Sequence, residues 1–488
     1  MSSEWLIFPV LFPIIGGLFV LRIHTLRTRR LAVSLMLLIE IFLVLETGKV
    51  EGDPLQLLTL APGLRLVLQV DDLGRLFATL ICLIWFGVGF FAFEYMNHEG
   101  HRERFFGFYV MTLGALMGIC FAGNLVTLYL FYEMMTLLSV PLVLHIGTRK
   151  AFDAAYRYLG FSVAGAGLGL LGLFFLQKYC VTDLFTPGGV LDPALAGENR
   201  QLLLVVFLIM AIGFGCKAGM FPLHAWLPIA HPVAPAPASA VLSGLITKMG
   251  VLALLRVVYY LYGWEFLQNT WAQTTVLVLA LITIFMGSTL ALREDALKKR
   301  LAYSTVSQVS YVIFGLMLFH PLALEGALLQ AVFHALAKNA LFLATGSVIY
   351  QTHLTQVSQM RGVGIGCNFT MWSFTLAALS LIGIPPTGGF VSKWFLAVGA
   401  LEGEGGPLAW WGIAILMISA LLTAAYLLPI VVRAFFPGKD FDHGKVIKQQ
   451  DTWLMWTALC LLTAGVVVFG MFPSVVEGPI RQVTGLLF

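Results

Sequence analysis

Six residues that exchange protons stand inside apolar runs of this sequence. Glu133 lies in NLVTLYLFYEMMTLLSVPLVLH and is the only charged residue between Arg104 and Arg149. Lys217 follows fifteen uncharged, mostly apolar residues, from Leu202 to Cys216, and opens KAGMFPLHAWLP. Lys248 sits nine residues past Ser239 in SAVLSGLITKMGVLALLRVVYY. His334 and Lys338 occur four apart in FHALAKNALFLATG, which puts them on one face of a helix. Lys393 follows a proline pair in IPPTGGFVSKWFLAVGA. An ionisable group inside a membrane costs about 2.5–3.5 kcal/mol on insertion scales, and such groups face the bundle interior and mark ion paths.

The chemistry these types allow is proton transfer. Histidine titrates near neutral pH. Burial and neighbouring charges set which form a carboxyl or an amine prefers. Lysines in a row repel one another, so protons distribute until neighbours are not all charged. Moving Glu133 away from Lys217 would then push a proton onward towards Lys248. The plainer readings are a static ion pair pinning two helices, a lysine snorkelling to the interface, and a histidine satisfied in the core. Lys248 is too deep in its run to snorkel, whereas Lys393 lies near a mouth and could. Glu40, in LMLLIEIFLVLE, is a weaker candidate: it fits a pairing with a neighbouring subunit as well as a transport role.

The elements that position these residues must be membrane helices. The 488-residue chain is 59% hydrophobic and 11% charged, against about 25% charged in soluble domains. Runs of about 20 apolar residues predict about fourteen spans: 5–21, 31–46, 76–96, 105–123, 125–147, 158–177, 202–221, 239–260, 272–292, 301–319, 326–350, 370–400, 408–432 and 453–472. The expected fold is an all-α polytopic membrane protein. Spans 7 and 12 are interrupted, at Phe221-Pro222 and at Ile384-Pro385-Pro386. Broken helices in matching places of two repeats point to an ion site. Spans 4–8 and 9–13 read as two inverted five-helix repeats, each with its break in the fourth member. The expected units are helices 1–3 (1–104), a first repeat (105–262), a second repeat (263–433) and helix 14 (434–488). Alternate loops hold 18 Lys and Arg on one side and 7 on the other. The excess of basic residues marks the cytoplasmic side and predicts a multi-pass protein of the inner (plasma) membrane with both termini outside the cytoplasm. The 48–70 and 433–451 segments are read as the sizeable polar connections, with no soluble domain appended.

Other chemistries lack support. The six cysteines form no CxxC and none has metal-ligand spacing to a histidine, so neither iron–sulfur nor haem ligation is expected. No glycine-rich phosphate loop precedes a helix. A net charge of +4 is too small to imply nucleic acid. The N-terminus lacks the basic region of a cleaved signal peptide. The expectation is a protein without a cofactor or metal of its own, working with other membrane subunits.

Five stretches carry a resemblance: KAGMFPLHAWLPIAHPVAPAPASAVLSGLITKMG (217–250), LKKRLAYSTVSQVSY (297–311), FHALAKNALF (333–342), GIPPTGGFVSKW (383–394) and FYEMM around Glu133. In their order and spacing the chain resembles the antiporter-like subunits of respiratory complex I, of membrane-bound hydrogenases and of Mrp-type cation/proton antiporters. The resemblance implies fourteen helices with two inverted five-helix repeats. It implies that Glu133 is the carboxylate of span 5 and Lys217 its partner, with Lys248 the central lysine. His334 and Lys338 would be the members on span 11, and Lys393 the terminal group where some relatives carry glutamate. The usual aspartate of a WLPDAH-like stretch is Ile229 here. The chain stops short of the lateral helix of the longest relatives.

Three functions compete. The first is a proton-translocating subunit of a redox-driven complex of the complex I or hydrogenase kind, to which GCKAGMFPLHAWLP is the closer wording. The second is the D-type component of an Mrp Na+/H+ antiporter without redox coupling. The third is a structural subunit whose charges only fix packing. No cluster of carboxylates offers a metal cation several oxygens near the relay, which favours H+ and leaves Na+ as the alternative.

Overall fold

The structure, a computed structural model, describes residues 1–61, 63–403, 406–442 and 452–488; part of the 433–451 connection, with Lys445 and Lys448, lies outside the described residues. A chain in lipid has to satisfy its backbone polar groups internally, which favours helices. The elements are α1 (Ser3–Val20), α2 (Leu26–Lys49), β1 (Leu55–Ala61), β2 (Leu64–Leu68), α3 (Asp72–His98), α4 (Arg102–Cys120), α5 (Leu125–Val143), α6 (Arg149–Leu176), α7a (Arg200–Ala218), α7b (Trp226–Val233), α8 (Ala236–Tyr262), α9 (Trp271–Arg293), α10 (Leu297–Leu316), α11 (Pro321–Thr352), α12a (Asn368–Ile382), α12b (Gly388–Glu402), α13 (Gly406–Phe435), α14 (Trp453–Met471) and α15 (Ser474–Leu487).

Among the described residues, twelve helices are long and apolar enough to cross a membrane. The two other expected spans are helical and fall short for physical reasons. The helix α10 is rich in Ser, Thr and Gln, and α12 is broken into halves too short to cross alone. The windows of highest hydropathy in α8 and α11 are wholly buried, so these helices form the centre of the bundle.

The all-helical expectation misses a hairpin in the 48–70 connection. LQLLTLA and LRLVL pair antiparallel across a turn at Gly63, whose φ is +79°. The hairpin docks on the start of α5. Val67 N–H donates to Thr127 Oγ1 at 2.7 Å, Asn124 Nδ2 donates to the Arg65 carbonyl at 2.8 Å, and Arg65 pairs with Asp183 in the loop after α6.

Both breaks lie where the sequence places them, and both end the first half-helix on a glycine in the left-handed region: Gly219 at φ +82° and Gly383 at φ +91°. A helix end leaves carbonyls without intrahelical donors. Trp226 Nε1 donates to the Cys216 carbonyl of α7a at 2.8 Å. At the other break, the carbonyls of Leu381 and Ile382 accept from Lys393.

Candidate proton-exchange site

Lys217 is the penultimate residue of α7a and is 1% exposed. Its ammonium donates to Thr136 Oγ1 of α5 at 2.9 Å and, from α6, to Tyr158 OH at 3.0 Å and Ser162 Oγ at 2.9 Å. The rings of Tyr158, Trp226 and Tyr132 surround it at 4.4, 5.7 and 6.0 Å. Aromatic faces attract a cation at these distances. Hydroxyls both donate and accept, so they serve an ammonium and a neutral amine alike. Ser139 extends this cluster through a 2.6 Å hydrogen bond to Tyr158 OH.

The expected Glu133–Lys217 ion pair is not formed: no contact of 4 Å or less joins them among the described salt bridges. Glu133 sits one turn before Thr136 on α5 and is half-buried, whereas Lys217 has its three donor positions filled by hydroxyls. Tyr132, next to Glu133 in the chain, belongs to the ring set around Lys217.

Lys248 follows a π-helical segment, Leu242–Ile246, in the buried middle of α8. Such single π turns recur at functional sites. The amine meets Nδ1 of His334 on α11 and donates to the Ser243 carbonyl at 3.2 Å. A hydrogen bond between two nitrogens needs a lone pair on one of them, so this contact requires that Lys248 and His334 not both be charged. His334 and Lys338 do share one face of α11, but they serve different neighbours. His334 turns to α8, and Lys338 donates to the Leu301 carbonyl of α10 at 2.9 Å. Asn339, beside Lys338, approaches Gly244 so closely that an added Cβ would lie 1.9 Å from its amide nitrogen.

Lys393 lies on α12b, just past the second break. It donates to the main-chain carbonyls of Leu381 and Ile382, the latter at 2.8 Å. These are the last carbonyls of α12a, the negative end of that half-helix dipole. The same side chain packs at 5.6 Å from the Tyr311 ring. It is therefore anchored on the break.

A polar network, which the sequence reading leaves unassigned, runs between α10, α11, α12b and α13. Ser392, next to Lys393, donates to Gln330 Oε1 at 2.6 Å. Gln330, one turn before His334, donates to Gln308 Oε1 at 2.8 Å, and Gln308 donates to Thr423 Oγ1 at 3.4 Å. Tyr426 OH donates to Ser304 Oγ at 2.7 Å, and Ser243 and Thr305 hydroxyls meet at 2.6 Å. The signal was the run YSTVSQVSY in a helix buried on every side. Of the two histidines after the first break, His231 is buried against the Phe342 ring, with both ring nitrogens lacking a hydrogen-bond partner. Among the described residues, no group of three or more His, Cys, Asp or Glu side chains is placed to hold a metal ion.

Comparison with known proteins fits this arrangement. Residues 122–423 match the family described as NADH:quinone oxidoreductase/Mrp antiporter, TM. The N subunit of the NADH-quinone oxidoreductase of Desulforudis audaxviator (strain MP104C) is 32% identical over 459 residues, covering 91% of this chain and 89% of that protein. The D-type component of the Na+/H+ antiporter of Alkalihalophilus pseudofirmus (strain ATCC BAA-2126 / JCM 17055 / OF4) is 30% identical over 443 residues, covering 89% and 87%. A chain in the solved Mrp complex from Dietzia sp. DQ12-45-1b has the same fold, with a TM-score of 0.84 at 20% identity over 99% of this chain and 97% of that one. With its lysines strung along a buried polar core and both relatives aligned over most of its length, the chain belongs to the NADH:quinone oxidoreductase/Mrp antiporter family of membrane subunits.

Proposed function

We propose that this antiporter-like subunit moves protons within a multisubunit membrane complex, through a relay of Glu133, Lys217, Lys248, His334, Lys338 and Lys393. The observation that carries this reading is the set of four lysines inside the bundle, with Lys217, Lys248 and Lys338 buried and Lys393 partly buried. None of them is paired to a carboxylate among the described salt bridges, and all are held by hydroxyls, an imidazole or main-chain carbonyls. Static packing gains little from such groups, because an unpaired buried charge is destabilising. Groups that gain and lose a proton as neighbours change do fit the arrangement. In this reading α4–α8 and α9–α13 are inverted repeats with breaks at α7 and α12, and both termini face away from the cytoplasm. Lys217 is the switching member, and Glu133 acts on it by charge. The shared proton of Lys248 and His334 links the two repeats.

The main reading couples this relay to a redox-driven complex, as the quinone oxidoreductase relative supports. The antiporter relative supports a second reading, Na+/H+ exchange without redox chemistry. Purification of the intact complex and identification of its subunits separates the two. Proteoliposomes of that complex should acidify or alkalinise in step with turnover, and a flux of labelled Na+ without electron transfer would favour the second reading. A complex that assembles and moves neither ion would overturn both.

A further inference from the structure

Glu40 is absorbed by none of this. It lies in the middle of α2, is 1% exposed, and both carboxyl oxygens lack a hydrogen-bond partner. The helix register locates it. Arg30 of α2 donates to the Phe93 carbonyl of α3 at 2.8 Å, and a Cβ on Gly89 of α3 would lie 2.8 Å from Leu37 Cδ1. The two helices therefore run antiparallel. Glu40, one turn beyond Leu37, falls opposite Trp85, one turn before Gly89. The indole Nε1 of Trp85 is itself buried without a partner, and the Cys82 thiol one turn away is within electrostatic range of Glu40. From α4, Tyr109 OH is occupied by the Trp85 carbonyl at 2.6 Å.

Among the described residues, no hydrogen bond or salt bridge joins a basic group to this carboxyl. Arg29 is held by the Ile23 and His24 carbonyls, Arg30 by Phe93 and Asn97, Lys49 by Glu46, and Arg75 by Asp72. Arg30 starts ten residues away, roughly 15 Å along the helix. The interior of α1 contributes no ionisable side chain. A carboxylate held away from water without a partner is costly, and the same group as an acid is far less so.

We propose that Glu40 is a second proton-binding site, outside the relay, that keeps its proton as a neutral carboxylic acid at the α2–α3 interface and is open to attack by apolar carbodiimides from the lipid. Ile39 and Phe42, on the outer side of the same helix turn, are exposed and give such a reagent its approach. In the reaction the acid O–H adds across one C=N bond of the carbodiimide. The proton goes to nitrogen, the carboxyl oxygen bonds to the central carbon, and acyl migration to nitrogen leaves a stable N-acylurea with no atom lost. An ionised carboxylate without that proton does not start this addition.

The test treats the intact wild-type complex in native membranes with dicyclohexylcarbodiimide or with a water-soluble carbodiimide and maps the adducts by peptide mass spectrometry. The expected result is an adduct on Glu40 from the apolar reagent, with at least a tenfold excess over the soluble one. An unmodified Glu40 with the apolar reagent, or equal labelling by both, overturns the proposal. Infrared difference spectra of wild type against Glu40→Gln should lose an acid-carbonyl band at neutral pH; an unchanged acid region also overturns it. Because Glu40 lies off the relay, proton flux in Glu40→Gln is expected to stay within twofold of wild type, so the outcome is independent of the proposed transport role.

Discussion

Lys217 and Lys393 both stand beside an interrupted helix, but their surroundings differ in kind. Lys217 ends the first half-helix and sits in a cage of three hydroxyls and three aromatic rings drawn from α5, α6 and α7b. Lys393 lies in the second turn of the second half-helix and is held by two main-chain carbonyls of α12a. Carbonyls only accept, whereas hydroxyls turn to suit either protonation state. The first break thus builds a niche that suits either protonation state, and the second an anchor for donors at the end of a half-helix dipole. The same local event, a helix ending on a left-handed glycine, supports two different roles depending on what fills the gap.

The comparison is broken most readily at Lys217. Lys217→Met should lower ion flux on the order of 10²-fold, the lower range for a positioned proton-transfer group, while the complex still assembles on native gels. Flux within a few-fold of wild type would remove Lys217 from the relay. At the second break, Gly389→Ala should prevent stable assembly, because an added Cβ would lie 1.7 Å from the Ser380 carbonyl oxygen. Overpacking of this kind costs about 1–3 kcal/mol or more, and thermal stability of the purified complex measures it.

Substitutions that keep the charge sharpen the contrast. Lys393→Arg should keep wild-type thermal stability, since a guanidinium also donates to two carbonyls, but lose flux, because arginine does not release its proton. Lys217→Arg should lose stability as well as flux, because the aromatic cage closes around a compact ammonium. Tyr158→Phe should cost only a few-fold, since Thr136 and Ser162 still hold the amine. Similar losses of stability in both arginine variants would mean that the two niches are not different in kind.

The smallest effect is expected outside the membrane. Burial works against the charge of Asp183, but the hydrogen bond and charge of Arg65 outweigh it and hold this carboxylate below its usual value. Its contribution to docking the hairpin is therefore fully present above the ordinary carboxylate value, about pH 3.9, and is lost only as pH falls through the lower folded value. Asp183→Asn should loosen the hairpin at neutral pH, seen as faster hydrogen exchange at Leu64–Leu68, whereas wild type should resist down to about pH 4.

Much of this was legible before the fold was known. Each buried lysine announced itself by its isolation in an apolar run, and the two breaks by Phe221-Pro222 and Pro385-Pro386. The partners were harder to read. Thr136, Tyr158 and Ser162 are ordinary residues for a membrane helix, where hydroxyls often bond their own backbone, and only the packing of three helices makes them a cage. His334 looked paired with Lys338 because helix periodicity is visible in a sequence, while its meeting with Lys248 depends on how α8 and α11 cross. The hairpin was hidden because LQLLTLAPGLRLVL, short and flanked by polar residues, reads as a connection until its pairing and its docking on Thr127 are seen.

The central claim is that a proton shared between Lys248 and His334 carries flux from one half of the bundle to the other. The direct measurement is ion flux by the reconstituted complex carrying Lys248→Met, normalised to assembled protein. The account predicts a complex of normal composition whose proton flux falls on the order of 10²-fold. A correctly assembled Lys248→Met complex that moves protons at the wild-type rate would contradict it.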